Sequence, residues 1–285
     1  MVDLHMHSNF SDGTDAIEDL VKKIIESGIE YFSITDHDTI LGVKYLLSRQ
    51  DLLDLLNSKN IKFTTGVEFS GIINDNKVHL LGYNYDSNNP DIEDAAALDM
   101  DKRNTKYNLR LKALKEQGIE YSKESLDEMG KANFLGKPLM AKFMIKDNIV
   151  KTMDEAYNII KGLKIPSVEI RLDAKIILSA INNAGGVGVW AHPLGGINEP
   201  RVTFEKVEEI LSYLIPLGLK GLECYYNLYT KEETEKLVEI AKKYNLFISA
   251  GSDYHGKNKK AQIGEVSNFS RFDATQFCNI LDEIF

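Results

Sequence analysis

Val2-Asp3-Leu4-His5-Met6-His7 opens the chain as a short extended run carrying two imidazoles. Successive strand residues point to opposite faces, so His5 and His7 share a face and can reach one ion. The same pattern recurs outward from there. β-Branched or aromatic runs predict strands at 2–7, 31–36, 62–69, 78–83, 187–192, 221–225 and 246–251. Amphipathic stretches between them predict helices at 15–27, 39–56, 173–184, 203–217 and 231–244. Thr39, Asp173 and Thr230 serve as caps at or near helix starts, and Gly28 and Gly185 sit just past helix ends. Alternating β and α units of this size imply an α/β fold with a mainly parallel sheet, closed or open.

Residues 86–165 break that rhythm. The stretch 91–117 reads as one or two helices, and 135–148 and 153–161 as shorter ones. No crossover strand follows 78–83 until 187, so a helical domain at 86–165 is expected as an insert into a β/α body made of 1–85 and 166–285. Charge divides the same way. The insert holds 14 basic and 14 acidic residues, so the net charge of −9 rests on the body. An acidic body suits metal cations, and a locally basic insert suits an anionic substrate.

With 285 residues, 43% of them hydrophobic, the chain can build one large core plus a small added domain. No run of eighteen apolar residues occurs, so no membrane span is expected. The opening lacks a basic region followed by an apolar run, so no secretory signal is expected. Cys224 and Cys278 are far apart and form no CxxC pair. That fits two partly buried thiols in a reducing, cytoplasmic setting. The acidic balance argues against stable binding to duplex nucleic acid.

The chain has six histidines, at positions 5, 7, 37, 79, 192 and 255. Five fall at or beside the C-terminal end of an expected strand. His79 begins the 78–83 strand, which an antiparallel hairpin would bring to the same rim. In a parallel β/α barrel that rim is the face where catalytic groups converge. Carboxylates accompany the histidines: Asp3, Asp12, Asp36, Asp38, Glu68 and Asp253. Asp253-x-His255 repeats the spacing of His5-x-His7 at the other end of the chain. Imidazole and carboxylate without thiolate suit Zn, Mn or Fe in a catalytic site with open positions.

These motifs resemble the PHP (polymerase and histidinol phosphatase) family from end to end. The matching stretches are Asp3-Leu4-His5-Met6-His7-Ser8, Ser11-Asp12-Gly13, Ile34-Thr35-Asp36-His37-Asp38-Thr39, Gly66-Val67-Glu68, His79-Leu80-Leu81-Gly82-Tyr83, Ala191-His192-Pro193 and Gly251-Ser252-Asp253-Tyr254-His255-Gly256. The resemblance implies a distorted seven-stranded β/α barrel with a dinuclear or trinuclear metal centre. By it, His5, His7, Glu68 and Asp253 would hold one ion. Glu68 would bridge to a second, held also by His79 and His192, and Asp12, His37 and His255 would hold a third. Glu68, His192 and Asp253 would stand closest to the chemistry. Asp36, Asp38 and Asp3 would orient imidazoles from behind. Such ions lower the pKa of a bound water and neutralise phosphate oxygens, so no serine or cysteine nucleophile is required.

The chain's length, with an insert between His79 and His192, resembles the stand-alone phosphoesterases of that family, which act on nucleoside 3′,5′-bisphosphates or short RNA. Arg103, Lys106 and Arg110 follow helical spacing, and Arg103-Asn104 matches the family pattern. Arg103 and Lys137 are therefore the expected phosphate-binding residues. Where the pattern reads Gly-Arg-Pro-His, this chain reads Gly136-Lys137-Pro138-Leu139. Lysine offers a point charge without a bidentate fork, and leucine offers no donor. The expectation is hydrolysis of a nucleotide or short-oligonucleotide phosphate ester. The alternatives are a phosphatase for a smaller metabolite such as histidinol phosphate, and a non-catalytic metal-stabilised interaction module.

Overall fold

Strand β1 (Val2–Asp3) leads into helix α1 (Ile17–Glu26), which returns the chain to β2 (Tyr31–Ile34), parallel to β1. Ile17, Leu20, Val21 and Ile24 form the buried stripe of α1, at the spacing of an amphipathic helix. They pack with Met6, Phe32 and Ile34. The computed structural model describes residues 1–166, 169–197, 199–267 and 278–285.

The helix expected over 39–56 is two, α2 (Leu41–Ser48) and α3 (Gln50–Ser58). They break at Arg49, whose backbone leaves the helical region at φ −102°, ψ 81°. Its guanidinium is held by Glu18, Tyr45 and Asp51. Strand β3 (Lys62–Ile73) is parallel to β2 and longer than expected. It turns through Asn74 and Asp75, both at positive φ, into β4 (Asn76–Tyr83), which runs antiparallel to it. The expected hairpin is therefore present, and it opposes His79 to Ser70.

Helix α4 (Pro90–Glu116) is one unbroken helix, followed by α5 (Lys123–Met129), α6 (Lys137–Lys146) and α7 (Met153–Gly162). The chain divides into two compact units, Met1–Ala97 with Arg171–Phe285, and Leu98–Ile170. The smaller unit has its own apolar core, which includes Tyr107, Leu114, Met140, Phe143, Met144 and Ile160.

In the larger unit, the short β5 (Leu172–Asp173) pairs beside β3, and α8 (Ala174–Asn183) is capped by the Asp173 carboxylate. Strand β6 (Val187–Trp190) lies antiparallel to β4. Then α9 (Phe204–Leu214), β7 (Gly221–Tyr226), α10 (Lys231–Lys243) and β8 (Phe247–Gly251) follow in β/α alternation, with β6, β7 and β8 parallel. Short α11 (Leu281–Ile284) comes last. Three backbone hydrogen bonds close the ring. Leu4 N–H donates to Ala250 O at 3.0 Å, His7 N–H to Tyr254 O at 2.8 Å and Asp253 N–H to His5 O at 2.8 Å. Seven strands thus form a nearly closed β/α barrel, with β5 off the path. Leu4, Val67, Leu81, Val189, Leu222 and Ala250 are fully buried in its core. Among the described residues no helix is long and apolar enough to cross a membrane.

Leu81→Ala removes a fully buried side chain from β4 and should lower unfolding free energy by about 2–5 kcal/mol. Thr230→Ala, which breaks the capping box of α10, should cost only about 1 kcal/mol. Urea titration of both variants checks the contrast between core and cap.

Candidate metal centre

Glu68 is fully buried on β3, and five imidazoles surround its two oxygens. Its Oε2 stands 3.1 Å from His5 Nε2, from His7 Nε2 and from His37 Nδ1. Its Oε1 stands 2.8 Å from His79 Nδ1 and 3.1 Å from His192 Nε2. The fold explains the convergence. His5 and His7 follow β1, His37 follows β2 and bridges to the Glu68 backbone, and His192 follows β6. His79 arrives from the opposite direction because β4 is antiparallel. Asp253 and His255 follow β8, where Asp253 Oδ1 lies 3.3 Å from His7 Nε2 and 3.6 Å from His5 Nε2. Asp12 Oδ1 sits 3.1 Å from His255 Nε2 and 3.9 Å from His37 Nε2.

All six histidines therefore join one cluster, with each ring centroid within 5.8 Å of another. Among the described residues, three sets of side chains could each hold an ion, with ligand atoms mutually within 4.8 Å: His5, His7, Glu68 and Asp253; His7, Asp12, His37 and His255; and His37, Glu68 and His79. The donor chemistry fits cations. His5 Nε2, His7 Nε2, His37 Nδ1, His255 Nε2, Asp12 Oδ1 and Glu68 Oε2 are buried without a hydrogen-bond partner. Buried polar atoms are rarely left so unless an ion or a reaction uses them.

The outer nitrogens face acceptors instead. His5 Nδ1 lies 2.9 Å from Glu223 Oε1, and His255 Nδ1 lies 2.8 Å from the Asp253 carbonyl. His192 Nδ1 and His79 Nε2 both face Glu199, at 3.4 and 3.8 Å. An acceptor behind a ring fixes its tautomer and turns the other nitrogen's lone pair inward.

Charge in the cluster is mutually dependent. Burial alone would raise the Glu68 pKa, yet His37, His5 and His79 hold it well below the usual carboxylate range. Burial alone would lower that of His5, yet Glu68, Glu223 and Asp253 hold it well above the ordinary imidazole value. His192 is pushed up to about 10, against burial, by Glu199 and Glu68. Burial, with His7 and His79 adding like charge, holds His37 well below the usual value. The backbone is strained at the same place. His192 at φ 30°, Asp253 at φ 55° and Asp38 at φ 56° occupy the left-handed region without being glycine.

A family model described as the PHP domain matches residues 3–174. The chain belongs to the PHP family. Relatives of similar length support the match. A phosphoribosyl 1,2-cyclic phosphate 1,2-diphosphodiesterase of Eggerthella lenta is 28% identical over 90% of this chain and 94% of its own. The 5′-3′ exoribonuclease Rnm of Escherichia coli is 24% identical over 89% of this chain and 84% of its own. A candidate metal-dependent phosphoesterase from Bifidobacterium adolescentis superposes with a TM-score of 0.75 at 25% identity, over 93% of this chain and 91% of its own. An amidohydrolase from Chromobacterium violaceum shares the fold, with a TM-score of 0.78 at 20% identity over 99% of this chain and 95% of its own. The chain is a metal-dependent phosphoesterase of the PHP family.

Behind the PHP cluster, Asp36 accepts from Ser8 N–H at 2.8 Å and from the Ser8 and Ser11 hydroxyls at 2.6 Å each. It reaches His7 through Ser11, whose Oγ lies 3.5 Å from Nδ1. Asp38 holds the N–H and hydroxyl of Ser70 at 2.6 and 3.1 Å. Asp3 holds Ser252 and the Gly264 N–H, and burial pushes its pKa up to about 6. Arg103 stacks on the Phe134 ring at 4.4 Å, and Lys137 is the first residue of α6. Arg110, expected on a basic face, is buried, and burial lowers its pKa.

Four residues escaped the sequence reading: Glu223, Glu199, Tyr226 and Lys259. Tyr226 Oη and Lys259 Nζ hold Asp253 Oδ2 at 2.9 and 2.6 Å, turning Oδ1 toward the histidines. The one local signal was Glu223, a lone carboxylate in the otherwise uncharged strand Gly221–Tyr226.

The raised values for His5 and His192 set a pH dependence. A cation bound through either ring would displace the second ring proton that the neighbouring carboxylates favour there, so its affinity would rise as pH rises. Between pH 6 and 8 the apparent zinc association constant should climb about tenfold per unit for each proton released. Calorimetry in two buffers of different ionisation heat counts those protons, and a flat profile would contradict the assignment.

Proposed function

We propose that this chain hydrolyses a phosphate ester of a nucleotide, such as a nucleoside 3′,5′-bisphosphate, or of a short oligonucleotide. The observation that carries the reading is the set of converging, unpartnered nitrogen and oxygen atoms around Glu68. In this reading His5, His7, Glu68 and Asp253 would hold one ion, Glu68 with His79 and His192 would hold a second, and Asp12, His37 and His255 would hold a third. Two or three divalent ions there, Mn, Zn or Fe, would supply an activated water and positive charge against phosphoryl oxygens.

The protein's own contribution is placement. Glu68 offers one oxygen to each half of the cluster, so the two halves keep a set separation. Asp253 presents Oδ1 inward because Tyr226 and Lys259 occupy Oδ2. His192, held in a strained backbone, keeps Nε2 on Glu68. Phosphoryl transfer asks mainly for such positioning and charge stabilisation. Arg103 and Lys137 are proposed to bind substrate phosphate, on their charge and on their place in the family pattern.

A second reading is a cyclic phosphodiester of a phosphorylated sugar. The likeness to the Eggerthella lenta diphosphodiesterase supports it, as does Leu139, which removes a donor from the pattern of the nucleotide-acting subgroup.

One panel separates the readings. With Mn or Zn restored, turnover is expected on a nucleoside 3′,5′-bisphosphate or on short RNA. Turnover confined to a 1,2-cyclic phosphoribose would select the second reading, and turnover confined to histidinol phosphate would replace both. No turnover of any of these would sink the proposed substrates. Arg103→Ala should raise KM more for a doubly than for a singly phosphorylated nucleotide; equal effects would remove its phosphate-binding role.

A further inference from the structure

Glu223 is fully buried in the middle of β7, in a strand whose six residues are all buried. A carboxylate placed there needs partners, and it has two. Its Oε1 lies 2.9 Å from His5 Nδ1, and its Oε2 accepts the backbone N–H of His192 at 2.7 Å. The pairing of β7 with β8 shifts register between Glu223 and Tyr225, an irregularity of the kind that re-aims a side chain. The neighbouring strand leaves room. A Cβ at Gly251 would stand 2.8 Å from Glu223 Oε1 and 2.1 Å from the His5 Cβ.

We propose that Glu223 is a positioning residue that fixes the ring proton of His5 on Nδ1 and fastens the strained His192 backbone. It thereby ties together the two halves of the metal centre. The inference rests on the ligand reading given under the proposed function. His5 Nε2 points at Glu68 Oε2 and Asp253 Oδ1, and it can donate to a cation there only when the proton sits on Nδ1. His192 approaches Glu68 from the other side with φ 30°, a conformation that must be held by its surroundings. One carboxylate with two acceptor oxygens serves both needs.

The isosteric amide cannot. A glutamine at 223 has one acceptor oxygen for two donors, the His192 N–H and the His5 Nδ1–H. If the oxygen stays with His192, the amide NH2 faces His5 Nδ1 and drives the ring proton to Nε2. If the oxygen turns to His5, the His192 N–H meets a donor.

The test is zinc affinity, measured by competition with a chromophoric chelator, for wild type, E223Q and E223D. E223Q should bind zinc roughly 10–100-fold more weakly. E223D, shorter but with both acceptor oxygens, should bind more tightly than E223Q. A role in packing alone predicts the reverse order, because glutamine keeps the volume and aspartate does not; that order would overturn the proposal. Long-range 1H–15N NMR of the zinc-loaded wild type gives a readout independent of how the variants fold. It should show His5 protonated at Nδ1 and metal-bound at Nε2, and a proton on Nε2 would overturn the assignment. Wild-type protein that takes up no divalent ion would instead overturn the ligand reading itself.

Discussion

Glu68 sets the terms for everything around it. A carboxylate stripped of water inside a barrel is costly unless compensating charge or hydrogen bonds surround it. Here five imidazoles do so, three on one oxygen and two on the other. To deliver them, the barrel must bring β1, β2, β4 and β6 to one rim around β3, and β4 can contribute only by running antiparallel. Burial and like charge hold His37 and His255 below the ordinary imidazole value, so the rings do not all share one charge state, and their inward atoms are suited to a cation. The fold thus makes a site that is electrostatically incomplete by itself.

That incompleteness is supported from outside the cluster. Glu223, Glu199, Ser11 and the Asp253 carbonyl take the outer nitrogens of the rings, while Tyr226 and Lys259 hold the outer oxygen of Asp253. Asp36, Asp38 and Asp3 act one step further out, on serines and backbone N–H groups that fix the loops carrying the histidines. Left-handed backbone at Asp38, His192 and Asp253 is held by the same contacts. Rigidity at the centre therefore comes from acceptors arranged behind the rings and donors arranged behind Asp253, which suits a reaction that depends on placement.

The converging metal-type ligands of the PHP centre and the two residues proposed to bind substrate phosphate lie in different parts of the chain. The converging groups all lie in the larger unit, whereas Arg103 and Lys137 lie in Leu98–Ile170. The first part keeps every motif of the family. The second has lysine and leucine where the family pattern has arginine and histidine. Such a division lets one metal-dependent hydrolysis serve several phosphate esters, in line with relatives named for a cyclic phosphate and for RNA.

Local spacing was enough to mark the β/α alternation, the hairpin before His79 and the pairs His5-x-His7 and Asp253-x-His255, because strand and helix periodicity act over a few residues. Residue type marked the cluster, since histidine and carboxylate at strand ends have few other uses. Other features were decided only by tertiary structure. The helix over 39–56 breaks where Arg49 is drawn to Glu18, a residue on another helix. Arg110, read as part of a basic face, is buried. Glu223 meets His5 across 218 residues of chain, and no periodicity links the two. Which groups ring the centre was written in the sequence, but what holds each ring in its tautomer depended on strands being brought side by side.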